Sequence, residues 1–132
     1  MSVEPFDPNA VSLQLDAEVV DELRLAAENL EAEDFGLSRA RISALAVVVR
    51  QDGAVDWRQA GEGLTSAEIT ALIRFFTLAE RLPGWESGPK SPVIALAAVL
   101  KARGDYPPEL TAWIKENTDN RFLPYGSLMD RL

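Results

Sequence analysis

Cysteine and histidine are both absent from this 132-residue chain. Their absence removes disulfides, thiolate zinc sites, cysteine nucleophiles and imidazole catalysis from consideration. The lack of cysteine also fits a reducing compartment. Long apolar runs are missing too. The longest, Val93 to Leu100, has eight residues, against the roughly 20 that a bilayer span requires. The stretch Met1 to Ala10 holds Glu4 and Asp7 and no base, so it does not read as a signal peptide. The expected location is therefore cytoplasmic, with no membrane partner.

What remains is the material of an ordinary folded domain. Hydrophobic residues make up 47% of the chain, too many for a disordered segment. A chain of this length can bury about two-thirds of its unfolded surface and needs no disulfide or metal to fold. The expectation is an extended arm over 1–15 and a single helical domain over 16–132.

Charge is distributed unevenly. Residues 1–34 contain ten acids and one base, Arg24, for a net charge of −9. The remaining residues sum to +1, giving the total of −8. Such an acidic segment repels nucleic acid backbone and anionic membranes and attracts basic partners. Direct nucleic acid binding is therefore not expected.

The hydrophobic spacing predicts an all-α fold, a compact bundle of about five helices with an irregular N-terminal arm and an ordered aromatic C-terminal tail. Asp16 reads as an N-cap for a first helix reaching about Glu33, with Val19, Val20, Leu23, Ala26, Ala27 and Leu30 in a stripe. Ser38 caps a second helix over about Arg39 to Gln51. Here Val47-Val48-Val49 favours a strand and Asp52-Gly53 a hairpin, so 45–57 has two readings; helix is preferred on the upstream 3.6-residue period. Residues 54–64 read as a loop. Thr65-Ser66-Ala67-Glu68 is a capping box opening a third helix that Pro83-Gly84 stops near Leu82. Ser91-Pro92 opens a fourth helix, apolar around its circumference, that Gly104 ends. Pro107-Pro108 opens a fifth, to about Thr118, and Ser127 reads as the cap of a last turn in the tail. Ile69, Leu72, Phe76, Leu96 and Leu100 are expected in the core.

Two groups of residues stand out as candidate sites. Glu80 falls at the edge of the apolar arc of the third helix, where a carboxylate is desolvated unless it finds a partner. Trp57, Trp85, Tyr106, Phe122 and Tyr125 lie in irregular segments. If these converge, they form a ligand pocket with Lys90, Asn120 and Arg121 as polar groups. The competing explanation is that Glu80 forms an ion pair and the aromatics seal the ends of the bundle. The expected ligand site is Trp57, Glu80, Trp85, Asn120, Arg121 and Tyr125. The expected partner site is Glu18, Glu22 and Glu28 on the first helix.

Other motifs carry no chemistry. Gly61-Glu62-Gly63 lacks the lysine of a phosphate loop. Glu18 and Glu22 have the i, i+4 spacing of a helical metal site, but no histidine completes it. The run from Asp52 to Asp56 is too short for a calcium loop. No cofactor, metal or catalytic residue is expected. The leading functional expectation is a non-catalytic interaction protein that binds another protein, or itself, through an acidic or apolar helix face. The alternative is a ligand-binding or enzymatic domain at the aromatic tail, using Glu80 or Arg121. A pocket holding a desolvated carboxylate favours the alternative. A flat apolar patch on the fourth helix favours the leading reading.

Overall fold

The computed structural model describes residues 15–50 and 56–126. The arm up to residue 14, the Asp52-Gly53 turn and the Ser127 cap lie outside the described residues. Within them the architecture is all-helical, with six α-helices and no strand.

Helix α1 spans Ala17–Ala27, and its N-cap Asp16 accepts a hydrogen bond from the Val19 N–H. Helix α2 spans Arg39–Val49, with Ser38 accepting from the Arg41 N–H. The valines therefore lie in helix, and Ile42, Leu45, Ala46, Val48 and Val49 are buried. Burial supplies what intrinsic propensity withholds, since helix stability in proteins comes mainly from tertiary packing.

Two expectations required correction. The first helix ends at Ala27, not near Glu33. Asp34, Phe35 and Gly36 then adopt positive φ of 51°, 58° and 77°. A left-handed phenylalanine is strained. The gain is burial: Phe35 is 1% exposed and meets Phe75 edge-on at 5.1 Å. Residues 57–62 were expected in a loop but form a helix, α3 (Trp57–Glu62). Its N-cap Asp56 accepts from the N–H groups of Arg58 and Gln59. Gly61 lets this short helix approach its neighbour closely: a Cβ there would sit 3.0 Å from Leu96 Cδ2.

Helix α4 (Ser66–Ala79) is the hub. It packs against α1, against α5 (Pro92–Arg103) and against α6 (Leu110–Asn117), while α3 packs on α5. Ile69, Leu72, Ile73 and Phe75 on α4, and Val93, Leu96 and Leu100 on α5, are fully buried. Helix α5 begins at the expected serine–proline pair, with Ser91 Oγ accepting from the Val93 N–H, and ends at left-handed Gly104. Its Arg103 reaches back to the carbonyls of Gly61 and Glu62 and to Ser66 Oγ. The apolar circumference of α5 is thus covered by its own chain. Within the run Val93 to Leu100 the least covered residues, Ile94, Ala95 and Ala98, are still partly buried; Ala102 near the helix end is exposed but small, so among the described residues α5 presents no flat apolar patch.

The capping box at the start of α4 is formed in both directions. Glu68 N–H donates to Thr65 Oγ1 at 3.1 Å, and Thr65 N–H donates to Glu68 Oε1 at 2.9 Å. The same carboxylate accepts from Arg24 of α1 at 2.7 Å, so the cap also fastens two helices. The backbone hydrogen bond from Thr65, with Arg24 nearby, holds the Glu68 pKa below its ordinary value. Thr65→Ala is expected to lower stability by about 0.5–2 kcal/mol, read as a shift in the urea midpoint at unchanged m-value. An unchanged midpoint would show that the cap contributes nothing.

Candidate functional site

Glu80 follows directly on α4 as its C-cap residue. Thr118 and Asn120 follow α6. Packing of α6 on α4 brings these two helix ends together, across a sequence separation of about forty residues. Thr118 Oγ1 donates to Glu80 Oε1 at 3.1 Å, and Asn120 Nδ2 donates to Oε2 at 2.7 Å. Asn120 is itself fixed. Its Nδ2 also donates to the Gly88 carbonyl at 3.2 Å, its Oδ1 accepts from the Phe122 N–H, and its own N–H donates to Thr118 Oγ1. Asn120, together with Thr118, therefore ties the tail after α6 to the α4–α5 connection.

These residues border a cleft of about 530 Å³, walled by α4 residues Thr77 and Leu78, by Glu86 and Gly88, and by Asn117 to Asn120. The charged residues that line it are Glu80, Arg81, Glu86 and Asp119, three carboxylates against one guanidinium. The Arg81 guanidinium lies over the Phe35 ring at 4.7 Å. Among the described residues Glu80 has no salt bridge. Its two hydrogen bonds come from neutral donors, so its charge is solvated but not neutralised. Burial pushes the Glu80 pKa above its ordinary value; the Asn120 and Thr118 hydrogen bonds oppose this, and the Glu86 charge adds to it.

The other expected ligand residues do not join this cleft. Trp57 and Trp85 are fully buried. Trp57 Nε1 donates to the Val48 carbonyl at 2.8 Å, and Trp85 Nε1 donates to the Ile42 carbonyl at 2.7 Å. Both indoles are core side chains with satisfied polar edges, which is how buried tryptophan usually sits. They present no surface to a ligand, and this corrects the expectation of an aromatic pocket. Arg121 is exposed and lies outside the cleft lining. Tyr125 is 39% exposed and is flanked by the ammonium groups of Lys101 and Lys115, at 4.8 and 5.4 Å from its ring. Lys101 also stacks on Tyr106 at 5.0 Å. Sequence reasoning missed Glu86 and Asp119. Both are ordinary exposed acids, and nothing in their local pattern marks them.

On α1, Glu18 and Glu28 are exposed. Glu22 is not a free surface acid. It holds Arg41 of α2 through two hydrogen bonds, of 2.6 and 2.8 Å. Reversing its charge would break a link between helices, so Glu22 does not serve as a neutral probe of partner binding.

Among the described residues no helix is long and apolar enough to cross a membrane, and no group of three or more acidic side chains is placed to hold a metal ion. No family model matches this chain, and neither a curated protein nor a solved structure matches it.

Proposed function

We propose that this chain is a ligand-binding protein whose cleft between the ends of α4 and α6 accepts a small organic cation, an amine or guanidinium. The observation that carries this reading is the half-buried Glu80 carboxylate. It is oriented by Thr118 and Asn120 and has no counter-ion among the described residues. A partly desolvated carboxylate gains when an N–H cation approaches, because charge-assisted hydrogen bonds are stronger than neutral ones. Glu86 and Asp119 add to the field, while Arg81 opposes it.

Titration with butylamine and butylguanidine, with butyrate as control, tests this. The cations are expected to give saturable NMR shifts at the Asn120 side-chain amide and at Thr118, and butyrate none. Glu80→Gln keeps the shape and removes the charge. It is expected to weaken cation binding by about tenfold or more. Equal binding by the variant, or shifts confined to another face, refutes the site.

A pH prediction accompanies it. Folding raises the Glu80 pKa, so the folded chain holds this proton more tightly than the unfolded chain. The Glu80 contribution to stability is therefore present below the ordinary carboxylate pKa and lost as pH rises through the raised value. Glu80→Gln is expected to lack that decline in thermal melts taken across the acidic range.

The interaction reading keeps one specific support, the exposed acids of α1, and belongs to a different surface.

A further inference from the structure

We propose that the Glu80 cleft takes a zwitterion, a small amino acid whose cationic group meets Glu80 while its carboxylate meets Arg81. This rests on the cation reading above and narrows its class of ligand. The observation is a set of opposite charges that share one cleft and do not neutralise each other. Glu80, Arg81, Glu86 and Asp119 all line the cleft. Among the described residues none of the four takes part in a salt bridge. An arginine beside carboxylates in a partly enclosed site ordinarily pairs with one, because the attraction there exceeds that in open water.

Local geometry holds these charges apart. Glu80 keeps helical backbone at the end of α4. Side chains at successive helical positions diverge by about 100° and do not face one another. Each is then held by something other than an opposite charge. Thr118 and Asn120 orient the Glu80 carboxylate. The Arg81 guanidinium rests over the Phe35 ring at 4.7 Å. That ring is itself fixed, 1% exposed and set edge-on against Phe75. A guanidinium with its face on a ring keeps its N–H edge for other partners. Among the described residues no acceptor takes that edge, whose planar fork matches a carboxylate. A simple amine leaves the edge unmet and is repelled by it. A simple carboxylate meets three acids. A molecule that carries both charges answers both walls.

The test titrates the ω-amino acids from glycine to aminohexanoate, each against its own primary amide. The amide keeps the ammonium and the length and lacks the negative charge. At the best-fitting length the amino acid is expected to bind about tenfold more tightly than its amide. It is also expected to shift the Arg81 Nε–H resonance, which the amide leaves in place. Arg81→Met keeps an apolar contact over Phe35 and removes the charge. It is expected to abolish the preference and to bind the amide more tightly, because an opposing charge has gone. Arg81→Lys is expected to retain part of the preference, as a point charge without the fork. If no amino acid outbinds its amide, or the preference survives Arg81→Met, the zwitterion reading is overturned and the cation reading of Glu80 stands. Equal loss of both ligands in Arg81→Met marks Arg81 as structural and also overturns it. Absence of binding by amino acids, amides and butylamine alike overturns both readings.

Discussion

Trp85→Ala is expected to destabilise the chain by about 3–5 kcal/mol, among the largest losses available to a single substitution here. The side chain is fully buried, meets Phe75 edge-on at 5.8 Å and donates its indole N–H to the Ile42 carbonyl. Truncation leaves a cavity against α2 and α4 and removes that hydrogen bond. Trp85→Phe keeps most of the ring and loses the donor, so about 1 kcal/mol of its smaller cost belongs to the hydrogen bond. Chemical denaturation of both variants measures the difference. A loss below about 1 kcal/mol for the alanine variant would mean that the indole is not a core element, and would reopen the aromatic-pocket reading.

Phe76→Ala is expected to cost a similar amount, about 3–5 kcal/mol. Phe76 is 2% exposed and links two rings of the core cluster, 5.1 Å from both Trp57 and Phe75. Edge-to-face pairs add to the area that such rings bury. Phe76→Leu restores apolar volume without the ring and is expected to recover more than half of the loss. If leucine recovers nothing, specific ring geometry outweighs burial at this position. If alanine costs less than about 1 kcal/mol, α4 is not the hub of the core.

The parts of the fold legible in the sequence are those with strong local punctuation. Thr65 and Glu68 announced the start of α4, and Ser91-Pro92 and Gly104 bracketed α5, because caps act within one turn. The parts that were not legible depend on distant residues. The left-handed turn at Phe35 exists because Phe75, forty residues later, offers an edge to pack on. Read locally, that segment favours more helix. Helix α3 is six residues long and contains a glycine, so its signal was weak; Asp56, its N-cap, was the one available cue. The cleft divides in the same way. Glu80 was conspicuous as an acid on an apolar arc. Its acidic neighbour Asp119 arrives through the packing of α6 on α4, and Glu86 through the turns that follow α4; no periodic spacing along the chain marks either. The two tryptophans were conspicuous for their size, but size marks a core residue as readily as a binding residue.

The two indole hydrogen bonds have a consequence for the order in which the chain is assembled. Each ends on a carbonyl of α2, one near its start and one near its end. The first donor lies 43 residues away in sequence, beyond α4, and the second lies 9 residues away, at the start of α3. Helix α2 carries three consecutive valines, whose stiff side chains disfavour an isolated helix. A short segment of that kind does not persist by itself in water. The loop between Ile42 and Trp85 must close before the longer of the two indole bonds exists, and closure costs chain entropy before any contact repays it. Helix α2 is thus expected to be consolidated late, once Trp85 has been brought back against it. It is a helix that the rest of the molecule confers on its sequence, and the two tryptophans mark where it is conferred.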